Sequence, residues 1–352
     1  MIRILSLTTL FPYPARPRHG IFVENRLKAL KAGGHEIRVI APVPWFPSGN
    51  KLFRDWAKYA NPPSEEVRHG IPISHPRYLI VPKMGMRLAV NSLEKSFERG
   101  LQAEIQAGRR PNLLDTHYLY PDGVAATRVA KKYGIPVVLT ARGSDVTQLP
   151  DYSAPRRMIM QAVADADHVI TVADALKDKL ISLGADSTYI TTVRNGVDLE
   201  VFTPSSQKPS DFPEHDGPII LSVGHLIPRK GHELIIRALK NIPSAHLLII
   251  GDGAEKSNLK RLCAELDIGD RVSFLGERAH TDLPGYYAHA DLFVLGSKRE
   301  GWPNVLLEAM ACGTPCVSTP AGGAAEVITS PEAGLVMKDR TISEMQNAIE
   351  LI

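Results

Sequence analysis

The sequence predicts two doubly wound α/β domains in tandem. Short apolar runs alternate with helical patterns along almost the whole chain. The runs are apolar at consecutive positions, the mark of strands buried on both faces of a parallel sheet. The length, 352 residues, also corresponds to about two domains. A proline-rich segment interrupts the alternation once, past the middle of the chain.

The first domain is expected over residues 1–202. Its strands are expected at Ile2–Leu7, 35–40, Leu113–Thr116, Pro136–Thr140, His168–Val172 and Tyr189–Val193. Phe22, Leu27 and Leu30 mark a helix that ends at Gly33-Gly34. Residues 43–83 are rich in proline and aromatics and read as an irregular excursion near the sheet's edge. Residues 203–218 hold four prolines and few apolar side chains and read as a linker. The second domain, 219–352, restarts the pattern with strands at Ile219–Val223, Ala245–Ile250, Val272–Leu275, Leu292–Leu295, Cys316–Ser318 and Leu335–Met337. Helical segments lie at 231–242 and 256–266, and the chain stops inside another at Ser343–Ile352, which reads as an incomplete last helix. Ligands of such sheets bind beyond the carboxyl ends of the strands, so with two domains face to face the expected site is the central cleft.

A hydrophobic fraction of 44% and a charged fraction of 22% exclude a disordered or collagenous chain. Three cysteines exclude a disulfide scaffold and suit a reducing compartment. Cys312 and Cys316 have neither redox nor zinc spacing and read as buried thiols. The first apolar run is too short for a signal peptide, and no stretch is long enough to span a membrane, so a cytoplasmic protein is expected. A net charge of +3 is too weak to imply nucleic acid. Residues 1–120 nevertheless carry +9 and residues 121–352 carry −6. The basic end suits an anionic lipid surface or an anionic substrate, or is simply a solvated face. Within it, Met86, Val90, Leu93 and Phe97 recur at helical spacing among Lys83, Arg87, Lys95 and Arg99. This reads as an amphipathic helix over 82–99 that packs on the first sheet; resting on the inner membrane leaflet is the alternative.

Two segments carry chemistry. In the first, Glu300 lies in the turn after a strand, and 304–312 forms a helix closed by Gly313. The amides of Asn304 and Val305 would open from that helix start as an anion site. Glu308 sits among Leu306, Leu307, Ala309 and Met310, so its carboxylate is buried and needs a partner. In the second, Gly224 ends a strand and lets a ligand approach the backbone, and Arg229-Lys230 precedes a helix, where two cations suit a diphosphate. Gly251-Asp-Gly253 lacks the third glycine of a dinucleotide motif and reads as a strand-end turn.

The Glu300…Glu308 pair followed by Ala-Met-Ala-Cys-Gly-Thr-Pro, the Gly224…Arg229-Lys230 loop and Arg194-Asn-Gly-Val-Asp198 resemble the retaining glycosyltransferases of family four, which have the GT-B architecture. The segment from Pro14 through Gly20 to Arg26 is similar to bacterial members that build surface polysaccharides. The resemblance implies that Arg229 and Lys230 bind the diphosphate of a UDP- or GDP-linked donor. Glu308 would bind the ribose hydroxyls, Glu300 the donor sugar near the reacting centre, and His117 would lie near the anomeric carbon. Gly20 matches the loop that approaches the phosphates or the acceptor. Where many relatives have His-Gly-x-Asp, this chain has Arg142-Gly-Ser-Asp145, so Arg142 and Asp145 are candidate acceptor-binding residues, and Arg142 would suit an anionic acceptor group. The two cations can stabilise the leaving group. The implied reaction needs no metal or cofactor and retains configuration by same-face attack. Its acceptor would be a saccharide or lipid-linked saccharide. Competing readings are a sugar-nucleotide epimerase and a non-catalytic sugar-nucleotide sensor of the same architecture.

Overall fold

The computed structural model describes residues 1–17, 19–45, 62–79 and 86–351. The chain forms two compact units, Met1–Arg194 and Asn195–Ile352.

The first unit contains β1 (Arg3–Leu7), β2 (Glu36–Ile40), β3 (Val43–Trp45), β4 (Glu65–Arg68), β5 (Ile71–Ser74), β6 (Arg77–Leu79), β7 (Leu113–His117), β8 (Val137–Ala141), β9 (His168–Thr171) and β10 (Ile190–Thr192). Eight of these form one sheet in the order β10-β9-β8-β7-β1-β2-β5-β4. It is parallel except for the edge pair β4–β5. Ile4, Ile37, Val39, Ile71 and Ile73 of its strands pack with Val23 and Leu27 of the helix Ile21–Ala32. The apolar pattern of the sequence is therefore the pattern of a sheet covered by helices.

The second unit contains β11 (Ile219–Val223), β12 (His246–Ile250), β13 (Val272–Gly276), β14 (Leu292–Leu295), β15 (Cys316–Ser318) and β16 (Gly334–Val336). They form an all-parallel sheet in the order β13-β12-β11-β14-β15-β16. Leu247, Ile249 and Val294 pack against Ile235 and Leu239 of the helix His232–Leu239 and Met345 and Ile349 of the helix Ile342–Glu350. In each sheet the strand order reverses at a parallel pair, between β1 and β7 and between β11 and β14. Such a reversal opens a crevice beyond the carboxyl ends of the two strands.

Two expectations are corrected. Much of 43–83 is regular: β5 extends the main sheet beside β2, β4 turns back on β5 through His69-Gly70, and β3 pairs with β6. These strands are three or four residues long and two contain proline, so they left no apolar run to read. Residues 46–61 and 80–83 of that stretch lie outside the described residues. The two compact units meet at Arg194 and Asn195. Trp302 donates through Nε1 to the Asn195 carbonyl at 3.1 Å, and Phe202 is buried against His280. The segment 203–218 is irregular but packed: Phe212 is buried beside Tyr286, and Asp211 accepts from Tyr286 Oη and Arg278 Nη2. Proline content identified it as non-helical; it did not make it a free linker.

The helix Met86–Gln106 buries Val90, Leu93, Phe97 and Leu101 completely. Its apolar stripe is core, as the packing reading expects. Residues 82–85, with Lys83, lie outside the described residues. Among the described residues, no helix is long and apolar enough to cross a membrane. Cys312 and Cys316 are free and buried.

Candidate active site

In the second unit the reversal between β11 and β14 brings the two predicted segments together. The loop after β11 closes in the turn Pro228–Lys230 and enters the helix His232–Leu239 through Gly231. Gly231 has φ 69°, and a Cβ there would stand 1.9 Å from the Gly296 carbonyl oxygen. Only glycine allows this backbone-to-backbone approach. The Lys298 amide also donates to the Arg229 carbonyl at 2.8 Å, which fastens the loop after β14 to the loop after β11.

This contact sets Lys230 against Glu300. Lys230 Nζ donates to Glu300 Oε1 at 2.6 Å, Ser297 Oγ donates to the same oxygen at 2.6 Å, and Arg229 Nη1 lies 3.7 Å from Oε2. The Lys230 and Glu300 side chains are 16% and 10% exposed, so the pair is poorly screened, and removing one partner would strand the other. Arg229 also donates to the Arg299 carbonyl at 2.9 Å and is the more exposed of the two cations. Gly224 lies against the Lys230 stem, with its Cβ direction 3.6 Å from Lys230 Cδ. Together these groups form a carboxylate and two cations at the mouth of the crevice.

Glu308 lies one turn into the helix Asn304–Ala311 and is buried, as its apolar neighbours required. Its partners are His280, whose Nε2 lies 3.1 Å from Oε1, and Tyr287, whose hydroxyl donates to Oε2 at 3.0 Å. Burial, with Glu308 beside it, holds the Tyr287 phenol well above its ordinary pKa. At the helix start the expectation is half corrected. The Asn304 amide is turned back onto the Trp302 carbonyl at 3.1 Å. The Val305 amide has no partner among the described residues and is the group able to receive an anion. Sequence reasoning missed Ser297, His280 and Tyr287. Ser297 had a signal, three residues before Glu300 in a strand-end turn; His280 and Tyr287 carried none. A cavity of about 270 Å³ opens on the far side of the Pro228–Lys230 turn, lined by Leu234, Leu259 and Ile342, and contains neither the cation pair nor Glu300.

In the first unit the predicted residues also gather at the strand reversal, with different roles. His117 ends β7 and is fully buried. Arg142 Nη2 lies 2.9 Å from its Nδ1, and Asp115 Oδ2 lies 3.0 Å from its Nε2. Arginine can only donate, so Nδ1 is the acceptor and the ring proton sits on Nε2, towards Asp115. Burial is the main cause that lowers the His117 pKa to about 4, so the ring is neutral. Asp115 is pulled down to about 2: burial opposes this, but His117, Arg26 and Arg142 outweigh it. Arg142 and Asp115 thus orient the His117 ring at the end of β7. Asp145 is fully buried. Its carboxylate accepts the amides of Leu119 at 2.9 Å, Arg142 at 3.1 Å and Gly143 at 2.7 Å, and it braces the loop from within. Arg142 is half-buried with its guanidinium 4.8 Å from the centre of the Phe22 ring. Gly20 precedes the helix Ile21–Ala32 with φ 73°, and a Cβ there would meet the Leu10 carbonyl at 2.3 Å. Its need for glycine is this approach to Leu10. Asp122 is buried beneath it: the Thr9 amide donates to Oδ1 and the Thr9 hydroxyl to Oδ2 at 3.1 Å, and burial raises its pKa to about 7.

Two parallel-sheet units, each with one such strand reversal, have the architecture of the GT-B fold. Residues 20–201 match the family described as Glycosyltransferase Family 4, and residues 205–352 match Glycosyl transferases group 1. The chain belongs to this family. It is 30% identical over 359 residues to the teichuronic acid biosynthesis glycosyltransferase TuaC of Bacillus subtilis, covering 99% of this chain and 88% of that protein. It is 30% identical over 255 residues to a D-inositol 3-phosphate glycosyltransferase of Mycobacteroides abscessus, covering 68% of this chain and 57% of that protein. Among solved structures, sucrose-phosphate synthase of Thermosynechococcus elongatus superposes with a TM-score of 0.80 at 21% identity, over 99% of this chain and 89% of that one. HepE of Anabaena in complex with UDP-glucose superposes with a TM-score of 0.73 at 21% identity, over 100% and 89%. These two likenesses establish the fold.

Proposed function

We propose that this glycosyltransferase is retaining and metal-independent. It moves a sugar from a UDP- or GDP-linked donor to a saccharide or lipid-linked saccharide in the synthesis of a surface polysaccharide or glycolipid. The observation that carries the donor assignment is the contact of Arg229 and Lys230 with Glu300 across the β11–β14 reversal. Cleavage at the anomeric carbon leaves negative charge on a nucleotide diphosphate. Arg229, Lys230 and the Val305 amide are the donors suited to that charge, and they supply what a bound metal would otherwise supply. As the diphosphate takes Lys230, Glu300 is released towards the hydroxyls of the donor sugar, still held by Ser297. Glu308, kept in place by Tyr287, offers its remaining lone pairs to the ribose. The acceptor attacks on the face the leaving group departs from, and a phosphate oxygen takes its proton.

The teichuronic acid role in TuaC's name and the UDP-glucose bound by HepE support this reading. The +9 charge of residues 1–120 supports an acceptor at an anionic surface. The test is a donor screen with UDP- and GDP-sugars, with and without EDTA. Free nucleotide and an α-retained glycoside in EDTA are expected. Activity abolished by EDTA and restored by Mg²⁺ or Mn²⁺, or an altered sugar with no transfer, would overturn the proposal.

A further inference from the structure

Glu308 is the one charged residue of the helix Asn304–Ala311, and its two oxygens go to two different elements. Oε2 takes the hydroxyl of Tyr287, which is fully buried in the helix Leu283–His289. Oε1 lies 3.1 Å from Nε2 of His280, in the loop that leads from β13 to that helix. The carboxylate accepts, so Nε2 carries the proton. His280 is half-buried and is itself held on two sides. The Phe202 ring stands against it with centroids 5.1 Å apart at 64°, and the same ring lies 6.1 Å from Tyr287. Two residues before His280, Arg278 Nε donates to Tyr286 Oη at 3.0 Å, and Asp211 accepts from both Arg278 Nη2 and Tyr286 Oη. This triangle ties the His280 loop to the residue next to Tyr287.

We infer that His280 is a positioning residue of the donor site: it sets the plane of the Glu308 carboxylate and so sharpens the reading of the ribose hydroxyls. The inference rests on the proposed ribose role of Glu308. The last torsion of a glutamate is broad, and one hydrogen bond leaves the carboxylate free to turn about it. Tyr287 supplies one bond and His280 the second, on the other oxygen, which fixes the plane. The remaining lone pairs then point in set directions before the nucleotide arrives, and the ordering cost of binding falls. Phe202 and the Asp211 triangle hold His280 where this bond can form. The segment around 203–218, read from sequence as a linker, thereby supports the donor site.

The test is calorimetry with UDP or GDP, whichever binds, against its 2′-deoxy and 3′-deoxy forms. The wild type should prefer the ribonucleotide to at least one deoxy form by about tenfold or more. His280→Ala should cut that preference about fivefold and leave the deoxy form within about twofold, because only the Glu308–ribose contact is lost. His280→Gln keeps an N–H donor of similar reach and should restore the preference to within about threefold. In a Glu308→Ala background, His280→Ala should change nothing further. An unchanged preference in His280→Ala, an equal loss for ribo and deoxy forms, or a full loss in the Glu308→Ala background would overturn the inference and leave the ribose role of Glu308 standing. An unchanged preference in Glu308→Gln would remove that role and the inference with it. If His280→Ala does not fold, His280→Asn, whose amide is too short to reach Glu308, is read in its place with the same outcomes.

Discussion

Glu300 has three polar partners and one is a lysine at 2.6 Å, so its charge is secured before any ligand is present. Replacing it with glutamine keeps the shape and removes the charge. Glu300→Gln should bind UDP within a few-fold of the wild type and lose turnover on the order of 10²–10³-fold, as for loss of a transition-state contact. Equal losses in UDP affinity and turnover would move Glu300 from the sugar to the phosphates. The buried histidines set the acid limit of stability. His19, His117 and His232 have folded pKa values lowered to about 4, mainly by burial, against about 6.5 unfolded. A depressed folded pKa contributes stability above the unfolded value that is lost as pH falls from about 6.5 towards 4. Asp122 has the opposite sign. Its raised pKa contributes stability present below about 4 and lost as pH rises to about 7. Asp122→Asn removes that loss. Melting curves should therefore show the whole protein weakening from pH 7 to 5, with Asp122→Asn closest to or above the wild type at pH 8. The relative gain of the wild type at pH 5 should be on the order of 1–3 kcal/mol. A pH-independent difference between the two would mean that Asp122 titrates in the fold as it does in the unfolded chain.

At the scale of elements, the sequence displayed the donor half well because its chemistry follows strand ends. Glu300 and Glu308 fall in one strand–turn–helix unit, and Arg229-Lys230 in another, so spacing alone located them. The contact between the units of structure depends on Gly231 meeting Gly296, which no local pattern announces. Gly231→Ala adds a side chain at positive φ and 1.9 Å from the Gly296 carbonyl. It should cost on the order of 1–3 kcal/mol in thermal stability and weaken UDP binding together with it. A variant with unchanged melting and affinity would mean that the two loops are not fastened here. For His117 and Asp145 the motif carries the residue types and not their contacts. Their residue types suit catalysis, but their roles are set by β7–β8 register and by amides from Leu119, Arg142 and Gly143, which are three-dimensional facts. His280 and Tyr287 reach Glu308 from a loop and a separate helix, and only burial of Glu308 hinted that partners must exist.

At the scale of the molecule, fold class was legible almost throughout, because fully apolar strands in a covered sheet declare themselves at consecutive positions. The short strands β3–β6 were not, since three or four residues, two of the strands with proline, carry too little pattern. The charge asymmetry was also legible, and the buried stripe of the helix Met86–Gln106 assigns its apolar face to the core. Any membrane contact must then rest on surface cations. Flotation should show salt-sensitive binding to anionic vesicles and none to neutral ones; equal binding to both, or none to either, would make the basic end a solvated face. The central claim is that a nucleotide diphosphate is held by Arg229 and Lys230 at the β11–β14 reversal. Calorimetry with UDP and GDP on the wild type, Arg229→Ala and Lys230→Ala tests it most directly. The account predicts metal-free binding of one nucleotide, weakened by roughly 1.5–3 kcal/mol in each variant, the range for hydrogen bonds to charged groups. Wild-type affinity in both variants would contradict it.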